Sequence, residues 1–434
     1  MSGIIVQKFG GTSVQSPERI KAVAGRIAAT VERGHRVCAV ISAMGQTTDE
    51  LIELASQVSP DPPVREMDML LTAGERISMA LTCMALDALG HSAVSFTGSQ
   101  AGVLTDPRHG KAMILDIQPD RVRAALDGGA IAVVAGFQGM STDTKEITTL
   151  GRGGSDTSAV AMAAALGAEY CEIFTDVEGV FTADPRVVES ARKLHVVSYD
   201  EMLEMASSGA KVLMLRSVEY ARNHNVALHV RSSFVDSPGT WIRGEDERME
   251  RAIIAGITHD VTEAKVTLKG VPDQPGIAAK LFGDLAEAGV NVDMIVQNVS
   301  AEGHTDISFT VNRDEAKKAA TLVAKIAGEI GANGYDLDET IAKVSLVGAG
   351  MRSHPGIAAK MFDVLASSSV NIEMISTSPI RISCVVHEKD ATTAVNALHS
   401  AFELEAESAL RDSHVGVERI DSGDEAESSS AGVA

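Results

Sequence analysis

The chain has 434 residues, 45% of them apolar, 22% charged and only 3% aromatic, with a formal net charge of −21. This length lets two or three domains bury cores of their own, and the apolar share is too high for a disordered chain. The charge repels nucleic acid and anionic membrane surfaces, so neither is expected as a partner, whereas a small anion remains possible where positive charge is concentrated.

Ile4 to Phe9 reads as a short buried strand that runs into Lys8-Phe9-Gly10-Gly11. In the GxxxxGK[ST] nucleotide loop the lysine follows the glycines, so the order here excludes that motif. Ser16 and Pro17 read as N-cap and first position of a helix ending at Gly34. Next come a strand at Val37 to Ser42, a helix at Met67 to Leu89, a strand at Ile131 to Ala135, an Ala-rich helix at Ala159 to Leu166 and a strand at Cys171 to Phe174. Such alternation predicts a mainly parallel sheet covered by helices on both faces, with ligands beyond the carboxyl ends of the strands. Cys38, Cys83, Cys171 and Cys384 form no CxxC pair and are expected as reduced core residues. With no signal-like N-terminus and no run expected to span a bilayer, the predicted location is the cytoplasm.

Three stretches could carry chemistry. In TTLGRGGSDTSA, Ser155 or Asp156 can cap the following helix, Gly151, Gly153 and Gly154 let backbone N–H groups approach an anion, and Arg152 offers a fork for a carboxylate or phosphate. FTDVEGVFTADPR brings Thr175, Asp176, Asp184 and Arg186, though it also reads as a plain hairpin-like excursion. Glu75 stands in an apolar helical run, where a lone carboxylate is costly; pairing with Arg76 or with a neighbouring turn is the structural alternative. Ser42 and Thr47 can be ordinary loop and cap residues.

The polar stretch from Asp236 to Arg251 marks a boundary, and beyond it lies a repeat. Pro275-Gly276-Ile277-Ala278-Ala279-Lys280 recurs from Pro355 to Lys360, and Val290 to Ile295 recurs as Val370 to Ile375. Each copy starts as a βαββαβ ferredoxin-like unit: strands at Ala264 to Leu268 and Lys343 to Val347, a helix, then later strands at Asp306 to Val311 and Ile380 to Val386. The helix start at Pro275-Gly276 can receive the carboxylate of an amino acid, and Asn291 with Asp293 its ammonium group; Asn371 and Glu373 stand there in the second copy. Packing of the repeats on each other is the alternative. The predicted division is 1–245, 246–338, 339–420 and a disordered tail, 421–434.

VQKFGGTSV, SAMGQTTDEL, DMLLTAGERIS, FTGSQAG, TTLGRGGSDT, TDVEGVFTADPR and LRSVEYA resemble signature segments of the aspartokinases of the amino-acid kinase family, and the repeat resembles their paired ACT regulatory domains, the likeness reaching about Ala401. It implies an α/β amino-acid kinase fold and transfer of the γ-phosphoryl group of ATP, with Mg²⁺, to the side-chain carboxylate of L-aspartate, a first step towards lysine, threonine and methionine. By the same likeness Lys8, Arg152 and Glu75 are catalytic; Thr47, Glu75, Arg152, Gly153, Gly154 and Ser155 bind aspartate; and Lys8, Phe9, Gly10, Gly11, Ser42, Thr175, Asp176, Phe181, Asp184, Pro185, Arg186 and Lys211 bind ATP. Asp273, Pro275, Gly276, Ile277, Ala278, Asn291, Val292, Asp293 and Gln297, with Asn371, Ile372 and Glu373, are implied for the effectors threonine and lysine. No metal ligand is assigned. Pro379 departs from the acidic residue common there, and a proline would remove a strand donor. The implied assembly is a homo-oligomer, or one with small chains started internally at Met249. A sister kinase of the same fold, or a silent amino-acid sensor, is the competing reading.

Overall fold

The computed structural model describes residues 3–244, 254–297, 303–354 and 356–406. Met249, Pro355 and the tail from Asp421 lie outside the described residues.

The first half contains β1 (Ile4–Phe9), α1 (Pro17–Glu32), β2 (Arg36–Ile41), α2 (Thr47–Val58), α3 (Val64–Ala88), β3 (Ala93–Phe96), β4 (Val103–Thr105), β5 (Ile114–Ile117), α4 (Asp120–Asp127), β6 (Ile131–Ala135), β7 (Gln138–Ser141) and β8 (Ile147–Thr149). It continues with α5 (Gly154–Leu166), β9 (Tyr170–Thr175), β10 (Val196–Ser198), α6 (Tyr199–Ser207), α7 (Leu215–His224), β11 (Leu228–Ser232) and β12 (Thr240–Arg243). Eight strands form one sheet in the order β10-β12-β11-β9-β1-β2-β6-β3, parallel except where β11 meets β12. A smaller sheet, β5-β4-β7-β8, packs beside it. Val6, Val40 and Val134 feed one core with α5, while Phe9, Ile41 and Val133 feed the opposite core with α1 and α3. Both faces are buried, so these strands read as continuous apolar runs.

Two predicted helix boundaries move. α5 begins at Gly154 rather than Ala159, and Ser155 and Asp156 lie inside its first turn instead of capping it; the N-cap is Gly153, at φ 70. α3 begins at Val64, after Pro63. It is also long and apolar enough to cross a membrane by length and composition, contrary to expectation. Its buried side explains its place in a folded domain: Asp68, Thr72, Glu75, Ser78 and Thr82 make a polar stripe at helical spacing, turned into the protein.

The second half contains β13 (Gly256–Asp260), β14 (Glu263–Pro272), α8 (Ile277–Glu287), β15 (Val292–Gln297), β16 (His304–Asn312), α9 (Ala316–Ile330) and β17 (Tyr335–Asp338). It goes on through β18 (Ile341–Val347), α10 (Ile357–Ser367), β19 (Met374–Ser378), β20 (Arg381–His387) and α11 (Ala391–Ala401). The sheet β15-β16-β14-β17 is a consecutive βαββαβ unit. The other sheet is β13-β18-β20-β19. Its edge strand β13 precedes the first unit in the chain, so the first unit is inserted into the second and a cut between residues 338 and 339 does not follow the sheets. Pairing between β13 and β18 spans more than eighty residues and leaves no local mark in the sequence. Pro379 lies in the tight turn between β19 and β20, with Ser378 paired to Arg381, so it removes no ladder donor.

The halves interlock. Ala183 and Val188 of the first half share a core with Ile257, Ala342, Leu365 and Leu398. Thr182 Oγ1 lies 2.9 Å from His399 Nε2. Arg381 pairs with Glu204 of α6 at 3.1 Å, and Ala349 N–H donates to Glu201 Oε1 at 3.1 Å.

Candidate active site

β9, β1, β2 and β6 end side by side, with Phe9 opposite both Ile41 and Phe174, and Ile41 opposite Ala135. The loops that follow them meet at this edge. Lys8, next to last in β1, extends its amine to 2.6 Å from Asp156 Oδ1, both side chains about 10% exposed. Phe9 stacks on Phe174 at 4.8 Å and fixes the strand end. At Gly11 a Cβ would stand 2.9 Å from Ala43 O, so only glycine lets the turn lie against the loop after β2; there Gly45 N–H donates to Gly11 O at 2.9 Å.

The 150–155 turn leads into α5. Gly153 is left-handed, and a side chain there would collide with that of Met214, so the turn is pressed between α7's start and the sheet. Ser155 is buried against Gly136, and Arg152 is exposed, with no ion pair among the described residues. Phe137, just past β6, is held at φ 69; its N–H donates to Ser158 Oγ at 3.0 Å and its carbonyl accepts from Leu150 N–H at 2.9 Å. A left-handed phenylalanine is strained and persists only when its surroundings fix it.

α3 supplies Glu75, 3% exposed. Oε1 accepts from Ala43 N–H at 3.3 Å, while Oε2 has no hydrogen-bond partner among the described residues. Burial pushes this carboxyl up to about 7. Of the two structural pairings, the one with Arg76 is not formed and the one with a neighbouring turn is, through the loop after β2. Ser78 Oγ donates to Ser42 O at 2.7 Å, and Gly74 brings α3 against Ala43 and Thr47, the first residue of α2.

On the other flank, Thr175 Oγ1 donates to Asp176 Oδ1 at 3.0 Å. The excursion beyond them closes as a hairpin, with Thr182 N–H on Arg192 O and Leu194 N–H on Val180 O, both 2.8 Å, and Phe181 bridging to Lys193. Further out, Arg186 forks onto Asp184 at 2.7 Å and 3.0 Å and holds that carboxyl below its ordinary range. Pro185 and Lys211 are exposed. His259 of β13 feels the charges of both Asp184 and Lys211. Among the described residues no three His, Cys, Asp or Glu side chains converge as a metal site. The sequence reading missed Asp156 as the partner of Lys8, because which face of a buried helix an acid occupies depends on packing, and missed Phe137 altogether.

Together these groups present one amine, a free guanidinium and a buried carboxylate with one unpartnered oxygen around a glycine-lined edge. The arrangement can hold two anions close together and an ammonium group nearby. The model of the amino acid kinase family matches residues 3–232, and an ACT domain model matches residues 266–325 and 344–402. The chain is 58% identical over 405 residues to the aspartokinase of Mycolicibacterium smegmatis, covering 92% of this chain and 96% of that one. This chain belongs to the aspartokinase family. It is also 56% identical over 408 residues to the aspartokinase of Corynebacterium glutamicum, covering 93% and 97% of the two chains. Its fold aligns with E. coli aspartokinase III in complex with aspartate and ADP at a TM-score of 0.79 and 25% identity, over 92% of this chain and 99% of that chain.

In the ACT units of this family member, α8 and α10 start after Gly276 and Gly356, at φ 96 and 97, without side-chain caps. Asp273, Gln297 and Asn291 are exposed, with Asn291 N–H donating to Glu315 Oε2 at 3.2 Å. The two acids proposed for an ammonium group are both paired across the sheets: Asp293 with Lys343 at 2.5 Å, and Glu373 with Lys265. Lys343 is fully buried and also meets Glu263 and, at 3.3 Å, the carbonyl of Ser207. Burial pulls its amine down, but the two carboxylates outweigh this and raise it.

Proposed function

We propose that the chain transfers the γ-phosphoryl group of MgATP to the side-chain carboxylate of L-aspartate, giving 4-phospho-L-aspartate. The observation that carries this reading is Lys8 at the sheet edge, its amine on Asp156 at 2.6 Å and against Gly10 of the glycine turn, where a Cβ would stand 3.4 Å from it. The nucleophile is already ionised at neutral pH, since a free aspartate side chain titrates near about 3.9, so no general base is needed. The obstacle is repulsion between a carboxylate and a polyphosphate: one unit pair at 4 Å costs about 1 kcal/mol in water and about 4 kcal/mol at an intermediate dielectric. Fixed cations answer that, and catalysis becomes positioning plus electrostatic stabilisation.

In this scheme Lys8 meets the migrating phosphoryl group, and Gly10 and Gly11 clear the way for backbone N–H groups. Arg152 grips an aspartate carboxylate beside Thr47, Gly153, Gly154 and Ser155. Glu75 takes the ammonium group, which supplies the missing partner of its buried Oε2. Phe9, Ser42, Thr175, Asp176, Phe181, Asp184, Pro185, Arg186 and Lys211 serve the nucleotide. Magnesium arrives as the counter-ion of ATP, part of the substrate, with most of its ligands from phosphates and water.

The ACT units receive threonine and lysine at the starts of α8 and α10, and act in concert on the kinase half. A small chain started at Met249 completes the assembly; a Met249→Leu variant should lose any co-purifying fragment of regulatory sequence. Four unpaired cysteines, three of them buried, support a cytoplasmic location. ADP release, coupled to an optical readout with and without L-aspartate and then with threonine, lysine and both, tests this reading. Aspartate-dependent release that both effectors together suppress supports it; release indifferent to aspartate refutes it.

A further inference from the structure

Asp68 lies on α3, 1% exposed, seven residues before Glu75 and on the same buried stripe. Its carboxylate gathers donors from two other segments. Thr149 Oγ1–H donates to Oδ1 at 2.5 Å, His109 Nδ1 lies 2.7 Å from Oδ2, and Gly110 N–H approaches both oxygens at 3.1 and 3.2 Å. Thr149 ends β8, three residues before Arg152. Gly110 lies directly under the Arg152 turn, where a Cβ on Gly151 would come 3.1 Å from its carbonyl oxygen. Ala112 N–H donates to Thr149 O at 2.9 Å and closes the two segments on each other. From the opposite side Arg216 of α7 holds Leu150 O at 3.1 Å and Ala112 O at 2.8 Å.

One helix face therefore carries both Glu75 and the carboxylate that anchors the turn bearing Arg152. Residues seven apart stand two turns apart on a rigid rod, about 10 Å. We propose that Asp68 is a positioning residue for substrate recognition: through Thr149 and Gly110 it fixes the Arg152 turn relative to Glu75, and so sets the length of amino acid that can span the two. This rests on the assignment of Arg152 and Glu75 to aspartate in the reading above. A buried carboxylate with three donor groups is a stiff anchor, because each lost bond leaves a buried polar group without a partner. Displacements of the order of an ångström in a positioning group are enough to cost about a hundredfold in rate.

The test uses the full chain and two substitutions of near-equal shape, Asp68→Asn and Thr149→Val, with Thr149→Ser as the conservative partner and His109→Gln as a variant at the accessible edge. KM and kcat are measured for L-aspartate, for L-glutamate, which is one methylene longer, and for ATP, together with Tm. Asp68→Asn and Thr149→Val should raise the aspartate KM at least tenfold and lower the aspartate-over-glutamate ratio in kcat/KM at least fivefold. The ATP KM should stay within twofold. Thr149→Ser should restore the ratio, and His109→Gln should give a smaller rise in aspartate KM. A parallel rise in both KM values, or a fall in Tm with the aspartate-to-glutamate ratio unchanged, would show a structural anchor only and overturn the proposal. If the unsubstituted chain shows no aspartate-dependent turnover, the functional reading fails and this inference with it. An active parent with unaffected variants removes only the role of Asp68.

Discussion

Lys8 and Asp156 come from elements about 150 residues apart and meet at 2.6 Å, both nearly buried. The contact orients the amine of Lys8, which would otherwise swing through several rotamers, and ties the end of β1 to the first turn of α5. Asp156→Asn keeps the shape and removes the charge. It should lower kcat by about ten- to a hundredfold while leaving the aspartate KM within a few-fold, because the loss falls on the migrating phosphoryl group. Steady-state kinetics with either substrate varied will check this.

Glu75 gives a prediction about pH. Its folded-state carboxyl is raised by burial to about 7, above the ordinary value of 4.5. A raised carboxyl favours the folded state at low pH, and that contribution is lost as pH climbs through about 7. Glu75→Gln should therefore be more thermostable than its parent at pH 8, by up to about 3 kcal/mol, with the difference shrinking towards pH 5. The same titration acts oppositely on substrate: the charged form attracts the ammonium group, so the parent's aspartate KM should rise as pH falls below 7. Thermal melts and KM values at pH 5.5, 7 and 8 test both halves.

Lys343 and Asp293 join the two ACT sheets. Removing the lysine leaves Glu263 buried without its partner, and Lys343→Met should destabilise the chain by about 3 kcal/mol. In the effector scheme an incoming ammonium group competes with Lys343 for Asp293. Asp293→Ala should weaken inhibition by threonine roughly ten- to a hundredfold, with uninhibited kcat barely changed. Chemical denaturation and inhibition curves are the measurements.

The hairpin that carries Phe181, Asp184 and Arg186 shares a core with the second ACT unit and touches it through Thr182 and His399. Burial pulls His399 below the ordinary imidazole range, so the contact is made by a neutral ring at pH 7. His399→Leu should raise the ATP KM about three- to tenfold, the size of one lost hydrogen bond, and leave the aspartate KM unchanged. Equal changes in both would detach this contact from the nucleotide side.

What the sequence made legible was local. β1, β2, β6 and β9 announce themselves as buried apolar runs, and the glycine turns after β1 and before α5 are visible as composition. The start of α5 was misplaced because Gly154 to Ser158 have poor helix propensity, which burial on all sides overrides. β13 could not be assigned to the second sheet, since its partner lies beyond a whole inserted unit. Asp68 reads as an ordinary acid in DMLLTAGERIS; only the fold reveals that His109, Gly110 and Thr149 converge on it. Pro379 looked like a strand breaker and proves to be a turn residue, because hairpin register is set by pairing across Ser378 and Arg381.

The central claim concerns what the chain makes. An acyl phosphate reacts with hydroxylamine, so 4-phospho-L-aspartate can be trapped as a hydroxamate and weighed by mass spectrometry while ADP is counted in the same reaction. Incubated with MgATP and L-aspartate, the chain should yield hydroxamate and ADP in equal amounts, and Lys8→Ala should reduce both by at least about a hundredfold. ADP release without hydroxamate, or Lys8→Ala turning over like its parent, would contradict the account.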